Sequence, residues 1–225
     1  MFQGYSDETF EFFMALAFNN NTEFFHVNHD WYVRALRGPS LALASELGEV
    51  IGNIDPELER RPDRVVSRIN RDVRFSRDKS PYRTYLWLSY HRLGEERSRS
   101  LEFWFDISAE RAGYGLGMYL PNKPMFNALR RALSESPKEA EDLLKAPLRR
   151  FVLGGEHYKR MVVPGSVPTG LRELYTVRTM GFHREIADFD RIKSPALAKE
   201  IAEGYELLAP FYRWFNRLTP IEDPE

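Results

Sequence analysis

Six cationic side chains crowd into sixteen residues of this chain: Arg68, Arg71, Arg74, Arg77, Lys79 and Arg83, opposed only by Asp72 and Asp78. Six positive and two negative charges leave +4 there, in a chain whose formal net charge is -1. Like charge at that density repels itself unless an anion answers it. A guanidinium is a planar fork of five donors that matches carboxylate or phosphate in pairs of parallel hydrogen bonds. With Arg68, Arg71 and Arg74 as the forks, Lys79 and Tyr82 could close over a bound group while Asp72 and Asp78 hold the arginines in place. The implied chemistry is a pocket for a small phosphorylated or carboxylated ligand. A second motif, Glu156, Tyr158, Lys159 and Arg160, supplies the same residue types and is the candidate for closing that pocket. The opposing reading is an internal ion-pair lattice with no ligand, completed by acids elsewhere such as Glu102, Asp106 or Glu156.

Catalysis in this motif is left unspecified by the residues. Asp72, beside Arg71 and near Arg74, should be held ionised, which suits an orienting acid better than a proton shuttle. Tyr82 or Lys79 could donate a proton. No nucleophile elbow, phosphate-binding glycine-lysine loop or dinucleotide fingerprint occurs, and no cofactor is implied. The absence of cysteine excludes disulfides, thiolate chemistry and cysteine-ligated metal sites. His26 and His29 share a helical face, but His91, His157 and His183 are scattered, so no metal site is expected. Basic and aromatic residues interleave at Arg74-Phe75, Tyr82-Arg83, Tyr85, Trp87 and Tyr90-His91-Arg92. That pattern makes single-stranded nucleic acid the alternative, less favoured ligand, and it gains if Tyr85, Trp87 and Ser89 face solvent. Near-neutral net charge argues against a protein that coats nucleic acid through bulk charge.

The elements that must position these groups read as follows. Of 225 residues, 43% are hydrophobic and 29% charged, enough for a sizeable core. Ser6, Asp7 and Glu8 open a first helix, with Phe10, Phe13, Met14 and Ala17 as its stripe. A second helix through Phe24, Trp31 and Leu36 should stop at Gly38-Pro39, and a third runs from Ser40 to Ile54. The period then changes to two. Residues 68–75 read as a strand with Ile69, Val73 and Phe75 on one face, and residues 85–90 and 101–107 as a further, antiparallel pair. Three glycines alternate through residues 112–119, a strand face without side chains that lets a neighbour approach closely. Helices are expected over 121–133 and 137–151, a helical turn over 171–175, weak alternation over 177–186, and a long last helix capped by Ser194 with Pro195 at its start. The sum is a single α+β domain over residues 1–225: an antiparallel or mixed sheet against an N-terminal helical layer and a long C-terminal helix. An acidic, proline-containing tail ends the chain. No membrane span or signal peptide is read, which points to the cytoplasm; oligomeric state leaves no signature.

The string Arg-x-x-Arg-Asp-x-Arg-Phe-Ser-x-Asp-Lys-Ser-Pro-Tyr at residues 68–82 resembles the signature of a bacterial family of conserved hypothetical proteins, domain of unknown function 2461. Asn19-Asn20-Asn21 after the first helix is similar to that family's opening. Gly115-Leu116-Gly117-Met118-Tyr119-Leu120-Pro121 resembles its middle, and Gly155-Glu156-His157-Tyr158-Lys159-Arg160 its later motif. The likeness spans nearly the whole chain and departs over residues 161–180, where Arg178 stands in place of the family's strand lysine. The resemblance implies a single α+β domain and no known activity.

Overall fold

In chain order the elements are α1 (Asp7–Phe18), α2 (Thr22–Val27), α3 (His29–Tyr32), a π-helical turn (Val33–Arg37), α4 (Gly38–Ile54), α5 (Pro62–Val65), β1 (Tyr85–Tyr90), β2 (Glu102–Ser108), β3 (Ala112–Met118), α6 (Lys123–Glu135), α7 (Pro137–Lys145), β4 (Val152–Gly154), α8 (Arg172–Thr176), β5 (Met180–Ile186), α9 (Phe189–Ile192) and α10 (Ala196–Asn216). The computed structural model describes residues 1–96 and 99–222, so the end of the acidic tail, 223–225, lies outside the described residues. The fold class is α+β, with a five-stranded sheet in the order β1-β2-β3-β5-β4. β4 pairs antiparallel with β5, placing Val152 opposite His183, Leu153 opposite Phe182 and Gly154 opposite Gly181. The chain gathers into two compact units. One comprises Met1–Tyr90, Trp104–Tyr114 and Glu185–Glu203; the other comprises His91–Phe103, Gly115–Arg184 and Gly204–Glu225.

In the first unit, Phe12, Phe13, Leu16, Leu36, Leu43, Ile51, Leu86, Leu88 and Phe105 are fully buried. The alternation read in the sequence sends Leu86 and Leu88 of β1 and Phe105 of β2 inward. Tyr90 completes the inward row and donates its hydroxyl to the Ala44 carbonyl at 3.0 Å. The helix end expected at Gly38-Pro39 does not occur. The π-helical turn runs directly into α4, whose first turn holds both residues. Proline is tolerated in a first turn, but Pro39 has no N–H to give the carbonyl of Ala35 four residues back. The buried Thr9 hydroxyl supplies that hydrogen bond instead, at 2.6 Å, while accepting from the Ser6 amide at 3.2 Å. One threonine thus caps α1 and repairs the gap that Pro39 opens in the following helix.

In the second unit, Phe103, Leu116, Phe126, Leu129, Phe182, Tyr205, Phe211 and Phe215 are buried. The Phe103 ring lies 5.0 Å from Tyr205 and 5.1 Å from Tyr212, and Phe182 lies 5.0 Å from Phe211, edge to face. The glycine-lined strand is real: all of β3 is buried. At Gly115 the neighbour that comes close is backbone, since an added Cβ would stand 1.8 Å from the Phe182 carbonyl oxygen. The helix expected over 137–151 divides into α7 and a 3-10 turn at Pro147–Arg149. No helix among the described residues is long and apolar enough to cross a membrane.

Candidate functional site

The arginine-rich segment lies wholly in the first unit and is a hairpin, where the sequence predicted a strand over 68–75. Only single bridges form, Val66 with Leu88 and Asn70 with Tyr82, both antiparallel. The Arg71 amide donates to the Pro81 carbonyl at 2.8 Å and the Arg83 amide to the Ile69 carbonyl at 2.8 Å. Pro81 returns no N–H, so the ladder stops there. Beyond it the chain turns back on local side-chain bonds. Asp72 accepts from the Arg74 amide at 3.2 Å, and Asp78 from the Ser80 amide at 2.9 Å, the self-bonding that makes aspartate a turn residue. Ile69 is buried as expected, but Phe75, expected on the same inward face, is 95% exposed because the turn carries it outward.

The hairpin spends its two acids internally. Arg71 pairs with Asp78 and also donates to the Ser76 hydroxyl at 3.3 Å. Arg74 grips Asp72 in a fork, Nε to Oδ1 at 2.9 Å and Nη2 to Oδ2 at 2.6 Å. Ser80 and then Arg71 hold the Asp78 carboxyl below the usual range, and Arg74 does the same for Asp72, which remains ionised as expected. Lys79 donates to the Val73 carbonyl at 3.0 Å, and Arg83 to the Arg68 carbonyl at 2.7 Å and to the carbonyl of Asn70. Carbonyls satisfy N–H groups without cancelling charge. Asp72 and Asp78 neutralise Arg74 and Arg71, and the charges of Arg68, Arg77, Lys79 and Arg83 stay unopposed by any carboxylate within the hairpin. Arg68 and Arg77 are exposed. Of the acids considered for a lattice, Asp106 pairs with Arg111 at 3.2 Å and Glu156 with Arg178 at 3.0 Å.

Tyr82 is buried at the hairpin's base, 6% exposed, with its ring stacked on Phe25 at 4.2 Å. Asn20 clasps the same residue from both sides, its Nδ2 donating to the Tyr82 carbonyl at 2.9 Å and its Oδ1 accepting from the Tyr82 amide at 3.0 Å. The asparagine run read as a helix breaker therefore also anchors the hairpin. Of the three β1 residues on which the nucleic-acid reading turned, Tyr85 is 47% exposed and Ser89 is fully buried. Trp87 is half-buried, stacked with Tyr85 at 5.7 Å and covered by the Arg83 guanidinium 4.8 Å from its ring. His26 and His29 are exposed on α2 and α3.

On β2, burial pushes the Asp106 carboxyl above its ordinary 3.8 against the pull of Arg111 and the Gly113 backbone, and among the described residues its Oδ1 is buried without a hydrogen-bond partner. A raised carboxyl costs stability once it ionises, so this deficit appears as pH rises from 3.8 through the folded value. Asp106→Asn is expected to raise Tm at pH 7 by about 2–4 °C, equivalent to about 1 kcal/mol in a chain of this length. The advantage should vanish below pH 3.8. Paired thermal melts across pH check this; a variant less stable than wild type at pH 7 contradicts it.

Glu156, Tyr158, Lys159 and Arg160 belong to the second unit. Gly155, at φ +153°, turns the chain where an added Cβ would meet the Thr179 carbonyl oxygen at 2.1 Å. The loop then pairs with residues 176–178: the Tyr158 amide donates to Thr176 O at 2.9 Å and the Arg178 amide to Glu156 O at 2.7 Å. Arg178, placed in the sequence as the stand-in for a lysine, thus holds Glu156 by backbone and side chain. Lys159 and Arg160 are exposed. The structure adds Arg130 of α6, which sequence reading passed over. It is 8% exposed, with its guanidinium 5.3 Å from the Tyr158 ring. The available signal was its spacing: Arg130 follows Phe126 by four residues, on the stripe that Phe126, Leu129 and Leu133 bury.

No curated protein is similar enough to the chain to match it. The model of one family, described as conserved hypothetical protein (DUF2461), matches residues 8–214, a span that takes in the arginine hairpin, the glycine-lined strand and the Glu156–Arg160 loop; the chain belongs to that family.

Proposed function

We propose that the protein binds an anion, the phosphate or carboxylate of a small ligand, through the arginine hairpin. The observation that carries this reading is the charge left over after the hairpin has paired its own acids. Arg68 and Arg77 project into solvent, and among the described residues the side-chain hydrogen bonds of Lys79 and Arg83 go to carbonyls. The internal pairs Arg71–Asp78 and Arg74–Asp72 set the shape of the turn, and the unpaired guanidiniums meet the ligand. A cytoplasmic place suits a chain without cysteine.

The test is titration with inorganic phosphate, citrate and a thymidine oligonucleotide. Arg68→Ala with Arg77→Ala should weaken the preferred ligand about tenfold or more while Tm moves by less than about 2 °C. A fall in Tm with unchanged binding assigns the cluster to structure alone. A second reading, single-stranded nucleic acid, is favoured by Phe75 standing 95% exposed beside Arg74 and by the Tyr85–Trp87 stack under Arg83. Four unopposed cations predict a slope of about −3 in log K against log salt for that ligand, and a much shallower one for a small anion.

A further inference from the structure

Arg130 is a buried cation that meets no acid among the described residues. Its Nε donates to the Tyr175 carbonyl at 2.9 Å, Nη2 to the Val177 carbonyl at 2.6 Å and Nη1 to Asn127 Oδ1 at 3.1 Å. All three acceptors are neutral. Three of the five guanidinium N–H groups are thereby engaged and two are unspent. Burial pulls Arg130 below the usual arginine range. Of the acids nearby in sequence, Glu156 pairs with Arg178 at 3.0 Å and Glu173 lies 4.0 Å from His157. A buried charge normally has an ionic partner, because carbonyl dipoles replace only part of its lost hydration.

The Tyr158 ring lies over the guanidinium, 5.3 Å from it. Tyr158 is 36% exposed and its ring can turn aside without disturbing the backbone bonds that hold its loop. The next two residues, Lys159 and Arg160, are exposed cations with no ion pair or hydrogen bond to another described residue. Two exposed cations therefore directly follow, in the chain, the phenol whose ring lies 5.3 Å from the Arg130 guanidinium. We infer that Arg130, Lys159 and Arg160 form a binding site for the phosphate group of a small phosphorylated ligand, with the Tyr158 ring as a cover that the phosphate displaces. Phosphate suits the position better than a carboxylate, since a dianion with three equivalent oxygens can take both unspent Arg130 N–H groups and still face the two flanking cations. This inference rests on other residues than the arginine hairpin.

The experiment uses the full chain carrying Arg68→Ala and Arg77→Ala, so that binding at the hairpin is weakened about tenfold or more, with inorganic phosphate as the probe in isothermal titration calorimetry. Phosphate is expected to bind this background at one site. Lys159→Ala with Arg160→Ala should weaken it about tenfold, and Tyr158→Ala should tighten it about fivefold by removing the competing ring. Arg130→Gln should abolish it; because that change also strips three bonds from the fold, the Tyr158 and the Lys159 and Arg160 variants decide the matter if it does not fold. No phosphate binding in the background protein overturns the inference. So does an affinity that neither the Tyr158 nor the Lys159 and Arg160 changes move.

Discussion

Gly115→Ala is expected to destabilise the fold severely. The added methyl would stand 1.8 Å from the Phe182 carbonyl oxygen, 2.8 Å from its carbon and 3.2 Å from the His183 Cα. None of these is the tip of a side chain that could swing away. Relief requires the β3 and β5 backbones to part, and both strands are interior to the five-stranded sheet. Overpacking against side chains commonly costs about 1–3 kcal/mol; moving two paired backbones apart also breaks ladder bonds and opens the core, so a loss above about 4 kcal/mol is expected. Whole-domain stability is of order 5–15 kcal/mol, so the variant should lose a large share of it and show a much lower urea midpoint. Circular dichroism and urea titration check this. Gly170→Ala is the control: nothing lies within 4 Å of its Cβ position, and stability should stay level or rise by about 0.4–1 kcal/mol. A folded Gly115→Ala protein with wild-type urea midpoint would refute the close approach.

That glycine was legible in part. Alternation at Gly113, Gly115 and Gly117 exposed a bare strand face, and physical reasoning from it requires a close neighbour. It does not say whether the neighbour is a ring, a helix or another strand, because that depends on which strand lies alongside. The same division runs through the candidate site. Charge surplus and fork chemistry were readable from residue types alone, and the ionised state of Asp72 followed from them. The hairpin was not readable. Period two over residues 68–75 is indistinguishable from a strand until the Arg71–Asp78 and Arg74–Asp72 pairs bend the chain, and those compete with a ladder that Pro81 has already weakened. Arg130 was hidden for the opposite reason: an arginine on a helix reads as a solvated charge, and its acceptors, the Tyr175 and Val177 carbonyls, lie forty-five and forty-seven residues away. The Asn20–Tyr82 clasp spans sixty-two residues and leaves no periodic trace.

Tyr82→Ala is expected to produce the second large effect, and Tyr82→Phe almost none. The sequence made Tyr82 a group that closes over a ligand or donates a proton, and both roles need its hydroxyl. The structure makes the ring the important part: it is 6% exposed and stacks on Phe25 at 4.2 Å with planes 21° apart. Truncating a buried aromatic to alanine costs about 3–5 kcal/mol, of which an aromatic stack supplies about 0.5–1.5 kcal/mol. In a chain of this length that is a fall in Tm of about 10 °C. The loss is also local in its consequences, because Asn20 holds the Tyr82 backbone and the Asn70–Tyr82 bridge closes the hairpin one residue from Arg83. Once the ring no longer fixes that strand, Arg68 and Arg77 lose their common support, and anion affinity should fall together with stability. Tyr82→Phe keeps the stack and the backbone clasp, so both Tm and phosphate affinity should match wild type within about 0.5 kcal/mol. If Tyr82→Phe instead abolishes phosphate binding at an unchanged Tm, the hydroxyl touches the ligand and the hairpin's base is part of the site.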